Sequence, residues 1–218
     1  MTGSEGDGPR VIEPFARPVD AAIRVPGSKS LTNRHLVLAA LARGVSELHG
    51  ALGSDDCDRL AAALRAMGAK VGQGDGPATL VVEGVDGHPH GGARLDLGDG
   101  GTPSRFMLAV AALARDETIV DGSARMRERP VAEGVAMLEA LGARGRVLGE
   151  RGGLPVAMRA DAEGRLPGGS IEVGRTASSQ FISALMLVAP WTGRGVSIRF
   201  VEEPTSASYL ALSLEALA

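Results

Sequence analysis

The chain has 218 residues, of which 44% are hydrophobic and 22% charged, and these proportions are ordinary for a soluble globular protein. Its net charge of −3 argues against broad nucleic-acid binding, which requires a basic surface. The single cysteine, Cys57, excludes an internal disulfide and a cysteine-cluster metal site.

The low aromatic content and the lack of long apolar runs indicate the kind of core and the cellular setting. Only 3% of the residues are aromatic, so we expect a core of Ala, Leu and Val in closely packed helices. No stretch approaches the roughly 18–20 consecutive apolar residues of a membrane span. The polar segment Met1–Arg10 lacks the apolar run of a signal peptide. We therefore expect a cytoplasmic protein in which residues 1–20 are a flexible leader.

An internal repeat organises the rest of the chain. Three times a polar stretch leads into an apolar helical stretch, with Arg34, Arg105 and Gln180 in register. A second anchor agrees, because residues 64–68 and 138–142 both read Leu-x-Ala-x-Gly. Two anchors that share a spacing of about 71 to 76 residues indicate a true repeat. The predicted domain, residues 21–218, accordingly consists of units at about 21–90, 91–165 and 166–218.

Each unit is predicted to run strand, helix, strand, helix, strand, strand. The first has a strand at Ala22–Val25, a helix from Ser30 to before Gly44, a strand at Val45–His49, a helix from Ser54 to Gly68, and strands at Val71 and Thr79–Glu83. The second has strands at Arg94–Leu97 and Thr118–Asp121, a second helix with Pro130 in its first turn, and strands near Arg146 and Val156. The third has Ser170–Val173, the Ser178 helix, Val196–Phe200 and the Ser206 helix. It stops at Ala218 before two closing strands, so we expect a fragment.

The distribution of apolar residues predicts how these elements are layered. The first helix of each unit is apolar nearly all round, which is typical of a buried helix. The second helices keep charged positions such as Arg65 and Glu139, so they should be only partly buried. The expected fold is therefore α/β, with three βαβαββ repeats, buried helices and outer mixed sheets, and with the third repeat truncated.

Hydrogen-bond donors gather at the predicted helix N-termini. An α-helix N-terminus leaves unpaired N–H groups and carries about half a positive charge, so it favours bound anions. If the repeated helices point the same way, their donors converge on a phosphate or carboxylate ligand. These donors are Lys29, Ser30, Arg34, Gly101, Thr102, Arg105, Arg129, Ser178, Ser179, Gln180 and Ser206.

Each of these residues also has a purely structural interpretation. The serines can be plain helix caps, and Arg105 can neutralise a buried Asp96 or Asp99. Arg34 either faces an open cleft and binds the ligand, or pairs with a buried carboxylate, in which case its loss would lower stability. The recurrence of donors at one register in all three units favours the functional interpretation.

Two common kinds of site are excluded by residue spacing. The segment Gly27-Ser28-Lys29-Ser30 superficially resembles a nucleotide-binding loop, but Ile23 occupies the position of that motif's first glycine. The sequence contains no metal-ligand cluster and no Ser-His-Asp spacing, and its four histidines are scattered. We therefore expect no bound metal.

At these residues the sequence resembles the 5-enolpyruvylshikimate-3-phosphate (EPSP) synthase family. Val25–Arg34 matches the family's opening Leu-Pro-Gly-Ser-Lys-Ser followed by Asn-Arg, with Val in first place. Further matches are Ser54-Asp55-Asp56, Gly101-Thr102, Arg129-Pro130 after Met126, Ser178-Ser179-Gln180, and Ser206 with Tyr209. The resemblance runs from about Phe15 to the C-terminus and implies an EPSP synthase-like fold.

The resemblance implies a transferase of the shikimate pathway, which leads to aromatic amino acids. Family members move an enolpyruvyl group from phosphoenolpyruvate to the 5-hydroxyl of shikimate 3-phosphate and release phosphate. They use no metal or organic cofactor, and the herbicide glyphosate competes at their phosphoenolpyruvate site. The implied partners are these two small substrates, with no nucleic acid and no membrane.

The resemblance also assigns roles to individual residues. Lys29 would be catalytic and would touch both substrates. Ser30 and Arg34 would hold the shikimate carboxylate. The implied ligands of shikimate 3-phosphate are Lys29, Ser30, Arg34, Ser178, Ser179, Gln180, Ser206 and Tyr209. The implied ligands of phosphoenolpyruvate are Lys29, Gly101, Thr102, Arg129 and Gln180.

Two features depart from the family pattern. Asp99 stands where the family usually has Asn, and its charge should weaken anion binding unless Arg105 pairs with it. Pro103-Ser104 replaces the more usual Ala-Met beside Thr102, and its effect on glyphosate sensitivity is left open.

The chain is also much shorter than family members, which close two similar domains over the substrates. The missing C-terminal domain would supply the acid/base carboxylates and several cations, and residues 1–20 would include an orphan strand of that domain. Two alternatives stay open. One is a relative of UDP-N-acetylglucosamine enolpyruvyl transferase, which has Lys-Asn in place of Lys29-Ser30. The other is a non-catalytic anion-binding domain or an inactive fragment.

Overall fold

The segment before the first helix is exposed and extended. The computed structural model describes residue 11 and residues 13–218, and in it residues 13–26 are exposed and form neither helix nor strand. The predicted leader, residues 1–20, lies in part outside the described residues. Its assignment to another domain, like the boundaries of the three repeats, stays a prediction.

The first unit forms a three-stranded antiparallel sheet beside two helices. Its elements are α1 (Lys29–Leu41), β1 (Val45–Leu48), α2 (Asp55–Ala66), β2 (Lys70–Gln73) and β3 (Leu80–Glu83). Strand β3 lies between β1 and β2, and Glu83 is opposite both Val45 and Lys70. Serine caps begin both helices, because Ser28 and Ser54 each accept a backbone N–H of the first turn.

The predicted opening strand of this unit, Ala22–Val25, is wrong. Its equivalent in the second unit pairs in parallel with the following strand and buries Leu95 to 2% exposure. In the first unit Ile23 and Val25 are 82% and 72% exposed instead. A short strand needs a hydrogen-bonded neighbour and a covered face to be stable, and this segment has neither within the described structure.

The second unit forms a four-stranded mixed sheet. Its elements are β4 (Arg94–Asp96), α3 (Gly101–Ala111), β5 (Thr118–Asp121), α4 (Ala124–Arg127), α5 (Ala132–Ala140), β6 (Arg144–Val147) and β7 (Val156–Arg159), with a 3-10 turn at Glu150–Gly152. The strand order is β4-β5-β7-β6, and only the β4–β5 pair is parallel. The expected strands are all confirmed.

One prediction for this unit needs correction, because Pro130 does not lie in the first turn of the second helix. The short helix α4 intervenes, and α5 begins only at Ala132. The N–H of Val131 bonds at 2.9 Å to the carbonyl of Gly152, which holds Val131 in a non-helical link. Pro130 therefore lies in the turn that joins the two helices.

The third unit repeats the first half of the second unit, namely strand, helix, strand, helix. Its elements are β8 (Gly169–Val173), α6 (Ser179–Val188), a 3-10 turn at Ala189–Trp191, β9 (Val196–Phe200) and α7 (Ala207–Leu217). Strands β8 and β9 pair in parallel, as β4 and β5 do. The repeat found in the sequence is therefore also a repeat of strand pairing.

The repeat extends to the backbone at the helix ends. Gly68 and Gly142 follow α2 and α5, and both have a φ of +101°. In each case the next residue's N–H bonds back to a helix carbonyl, that of Leu64 or of Leu138. Glycine tolerates this left-handed conformation better than other residues. The second sequence anchor is thus a helix-stop signal used twice.

Helices α1, α3 and α6 lie at the centre of the molecule, with the sheets outside. Leu36, Met107 and Ile182, one from each helix, have no exposed surface. Small residues such as Ala109 and Ala111 are also fully buried and allow α3 and α6 to pack closely. The predicted α/β fold of repeated units with buried helices is confirmed.

Candidate functional site

Four helix N-termini meet at one cavity of about 340 Å³. Helices α1, α3, α6 and α7 each contribute residues from their first turns or from the preceding loops. The lining residues are Lys29, Ser30, Arg34, Thr102, Ala177, Ser178, Ser179, Gln180, Thr205, Ser206 and Tyr209. Every residue predicted to hold shikimate 3-phosphate is among them. Sequence reasoning missed Ala177 and Thr205, which directly precede predicted serines.

Lys29 provides an exposed cation at the start of α1. Its Nζ lies 2.9 Å from a carboxylate oxygen of Asp56 on α2, and its side chain is 52% exposed. The hydrogen bond to Asp56 and the charge of that carboxylate raise the pKa of Lys29 above its usual value. Lys29 therefore stays protonated at neutral pH and remains free to exchange its partner for a ligand.

Arg34 is nearly completely buried, with 2% exposure. Its Nε donates to Ser213 Oγ at 2.9 Å, and its Nη2 donates to Ser183 Oγ at 3.0 Å and to the Tyr209 carbonyl at 2.9 Å. Its Nη1 donates to the carbonyl of Ser30 at 2.9 Å. Arg34 thus lines the cavity but is not openly exposed to it as expected, and the alternative of a buried carboxylate partner is wrong. Burial lowers the pKa of Arg34.

The acceptors around Arg34 come from helices α6 and α7. Ser183 and Ser213 have no exposed surface and bond to each other at 2.9 Å. Sequence reasoning missed both, although a serine inside an otherwise apolar helix is a signal for a buried polar contact. Arg34 thus forms part of the cavity wall and ties α1 to α6 and α7.

The starts of α6 and α3 are joined by a side-chain hydrogen bond. Gln180 Nε2 donates to Thr102 Oγ1 at 2.9 Å. Ser178 caps α6, because its Oγ accepts the N–H of Gln180 at 3.3 Å. Ser179 is 5% exposed and lies beside them in the cavity wall. The residues predicted to donate hydrogen bonds to the phosphate therefore lie at the N-terminus of α6, which the Gln180–Thr102 bond fixes to α3.

Ser206 lies at the start of α7 in a left-handed conformation, with φ 54° and ψ 56°. It is exposed and makes no side-chain cap bond to the helix, so its hydroxyl and the free N–H groups of the first turn are open to a ligand. The neighbouring Thr205 donates to the Thr176 carbonyl at 2.8 Å and anchors the loop. Tyr209, one turn on, is 45% exposed.

Gly101 and Arg129, both predicted to hold phosphoenolpyruvate, lie together next to this cavity. A Cβ added to Gly101 would lie 2.7 Å from Arg129 Nη1 and 3.8 Å from Gln180 Oε1. Gln180 itself lines the main cavity. The two predicted subsites are therefore adjacent and share Gln180.

Asp99 and Arg105 do not pair with each other. Asp99 accepts the hydroxyl of Ser123, and Asp96 accepts the N–H of Gly98. Arg105 instead donates to the Gly101 carbonyl at 2.8 Å. The structural interpretation of Arg105 as the partner of a buried aspartate is therefore wrong.

Two further findings concern the described part of the chain. It contains no group of three or more His, Cys, Asp or Glu residues arranged to hold a metal ion. None of its helices is both long enough and apolar enough to cross a membrane.

Comparison with known proteins identifies the family of this chain. The chain matches the family model of EPSP synthase (3-phosphoshikimate 1-carboxyvinyltransferase) over residues 15–217. It is 41% identical to the 3-phosphoshikimate 1-carboxyvinyltransferase of Rhizobium etli, covering 94% of this chain and 48% of that protein. It is 36% identical to the pentafunctional AROM polypeptide of Clavispora lusitaniae, covering 94% of this chain and 14% of the polypeptide. The chain thus spans about half the length of its Rhizobium relative.

Solved structures agree with the sequence match. EPSP synthase from Acinetobacter baumannii resembles this chain with a TM-score of 0.68 at 26% identity, over 78% of this chain and 38% of that one. The enolpyruvyl transferase NikO from Streptomyces tendae has a TM-score of 0.54 at 16% identity over 88% of this chain and 42% of that one, which shows a shared fold alone. From the family match and the identity to its relatives, this chain belongs to the EPSP synthase family.

Proposed function

We propose that this chain is the shikimate-3-phosphate-binding half of a 3-phosphoshikimate 1-carboxyvinyltransferase. The enzyme would transfer the enolpyruvyl group of phosphoenolpyruvate to the 5-hydroxyl of shikimate 3-phosphate and release phosphate. In this proposal the chain acts in the cytoplasm with a C-terminal domain and needs no metal or organic cofactor. The observation that carries it is the single cavity at which four helix N-termini converge.

The chemistry of the cavity fits a ligand with a phosphate and a carboxylate. The hydroxyls of Ser178, Ser179 and Ser206 lie at helix starts, where free N–H groups favour a phosphate. Lys29 and Ser30, at the start of α1, line the same cavity and suit the carboxylate. The hydrogen-bond partners of Arg34 in the described structure are all neutral, so an anion bound in the cavity would be stabilised by its uncompensated charge.

The second substrate would bind beside the first. Gly101, Thr102 and Arg129 supply donors at the start of α3, and Gln180 lies between this subsite and the main cavity. Lys29 would exchange Asp56 for the reacting groups and stabilise negative charge that develops in the transition state. This assignment places the two substrates on one wall of the site.

Titration calorimetry with shikimate 3-phosphate tests the proposal, with the two lysines of the chain as a matched pair. Lys29 and Lys70 are both exposed and both paired with a carboxylate, at 2.9 and 3.0 Å. Loss of a charge-assisted hydrogen bond costs about 1.5–3 kcal/mol, so we expect Lys29→Met to weaken binding by about one to two decades. Lys70→Met should bind like the wild type.

The same titration separates the alternatives. If the wild-type chain does not bind shikimate 3-phosphate, or if both lysine variants bind it equally, the proposal fails. Tighter binding of UDP-N-acetylglucosamine than of shikimate 3-phosphate would instead support the related transferase. Lys29-Ser30 argues against that outcome, because that relative has Lys-Asn at these positions.

A further inference from the structure

Arg105 is a buried cation whose hydrogen bonds are incomplete. Its residue is 7% exposed, and its Nε has no partner among the described residues. Its guanidinium lies over the Phe181 ring, 5.0 Å from the centroid, and Nη1 donates to the Gly101 carbonyl at 2.8 Å. Burial of a charge without an opposite charge is costly. A cation kept in this state needs a compensating anion or a specific use.

A second guanidinium lies close to the same place. The Cβ that Gly101 lacks would lie 3.1 Å from Arg105 Nη1 and 2.7 Å from Arg129 Nη1. Burial and the charge of Arg129 together lower the pKa of Arg105 to about 10. Two like charges beside one glycine repel each other unless an anion lies between or above them.

The first turn of α3 has free donors at this point. The N–H of Ser104 bonds to the Gly100 carbonyl at 3.0 Å, and Pro103 has no N–H. The unpaired N–H groups of the turn are therefore those of Gly101 and Thr102. The bond from Arg105 to the Gly101 carbonyl holds the peptide that carries the Thr102 N–H. Arg105 thus fixes the orientation of these donors as well as adding charge behind them.

We propose that Arg105 is a positioning residue of the anion subsite formed by Gly101, Thr102 and Arg129, which takes the phosphate or carboxylate of phosphoenolpyruvate. The identity of that substrate rests on the proposed function. Arg105 acts from the helix side of Gly101 and does not need to touch the ligand. Its buried charge makes the subsite selective for anions, and its bond to the Gly101 carbonyl keeps the first turn rigid.

Inorganic phosphate is the probe that tests this role, with the amide NMR resonance of Gly101 in the full chain as a local readout. We expect the resonance to shift and saturate in the wild type. In Arg105→Met the dissociation constant should rise by about tenfold or more, because the buried charge and the bond that orients the Thr102 N–H are both lost. Arg105→Lys keeps the charge but loses the guanidinium's fork of N–H donors, so its dissociation constant should lie between those of the wild type and Arg105→Met. Arg43→Met removes an exposed arginine beyond the end of α1 and should match the wild type.

The outcomes distinguish this role from a structural one and from failure of the proposed function. A wild-type Gly101 resonance that phosphate does not move overturns the proposal. So does an unchanged dissociation constant in the Arg105 variants, even if their melting temperatures fall. If Arg105→Met does not fold, the Arg105→Lys titration decides. If phosphate behaves as expected but shikimate 3-phosphate does not bind the wild type, the anion subsite stands and the proposed function fails.

Discussion

Arg34 and Arg105 hold equivalent positions in α1 and α3 and share a local structure. Each donates from Nη1 to the carbonyl four residues earlier, that of Ser30 or of Gly101, at 2.9 and 2.8 Å. Each also lies over an aromatic ring, at 5.6 and 5.0 Å from the centroid. The first two units therefore share a buried arginine that braces the first turn of the central helix, whereas the third unit has Gln180 at this position. Neither arginine forms an ion pair with a carboxylate in the described structure.

The burial of Arg34 predicts that it contributes to stability. Arg34→Ala removes the hydrogen bonds of a buried guanidinium to Ser213, Ser183 and the Tyr209 carbonyl, and a hydrogen bond to a charged group contributes about 1.5–3 kcal/mol. A total loss of about 3 kcal/mol corresponds to a fall in melting temperature of roughly 6–12 °C for a chain of this size. Differential scanning calorimetry measures it, with the exposed Arg43→Ala as the control. An unchanged melting temperature in Arg34→Ala would show that the hydrogen bonds of Arg34 contribute little to stability.

At the scale of elements, the short helix α4 positions Arg129. Asp121 at the end of β5 is 4% exposed and accepts from Arg127 of α4 at 2.9 and 2.8 Å. The Ser123 cap of α4 is tied to Asp99 in the loop before α3. These contacts hold the segment that leads into Arg129 against the start of α3. Asp99 therefore has a structural contact here, while its effect on anion binding stays a prediction.

Asp121 should make stability depend on acid pH. Burial alone would raise the pKa of Asp121, but hydrogen bonds from Arg127, the Gly122 N–H and Arg94 outweigh burial and lower it. A lowered folded-state pKa contributes stability that is present above the unfolded value of about 3.9 and is lost as the pH falls through the folded value.

We expect Asp121→Asn to lose about 1.5–3 kcal/mol of unfolding free energy at neutral pH, because the charge-assisted bonds to its arginine neighbours are lost. As the pH falls from about 3.9 through the lower folded-state pKa of Asp121, the stability difference between the variant and the wild type should disappear. Urea unfolding at a series of pH values measures this, with the exposed Asp116→Asn as the control. A stability difference that stays constant into acid would contradict the assignment.

At the scale of the molecule, this chain supplies one side of the proposed substrate site. The chain spans 48% of the length of its Rhizobium relative. The residues proposed to bind the substrates lie at or near the N-terminal ends of the helices. Stabilisation of a transition state requires a preorganised site from which water is excluded. We therefore expect the purified chain to bind shikimate 3-phosphate without releasing phosphate from phosphoenolpyruvate.

Complementation in two halves checks this expectation. Co-expression with the C-terminal half of a relative should restore phosphate release, and Lys29→Met in this chain should abolish the restored activity. Lys70→Met should retain it, since Lys70 lies in β2 away from the cavity. Phosphate release by the purified chain alone, above the level of Lys29→Met, would show that one wall is sufficient.

The sequence by itself determined the repeat, the starts of the helices other than α4 and α5, and the family. Caps such as Ser28 and Ser178, the glycine stop at Gly68 and the apolar run of α3 depend on residues within one or two turns. Such features can be read along the chain without knowledge of its packing. The family motif likewise selected residues that the structure brings to one cavity or, for Gly101 and Arg129, beside it.

Only the tertiary structure decided what the buried arginines contact and which strands have partners. Arg34 reaches Ser183 and Ser213, which are 149 and 179 positions away along the chain. Arg105 shares the space beside Gly101 with Arg129, which comes from another helix junction. The opening segment Ala22–Val25 has the pattern of a strand but no neighbour to pair with in the described structure. Hydrogen-bond partners and desolvation depend on which distant groups packing brings together, and no local pattern encodes that.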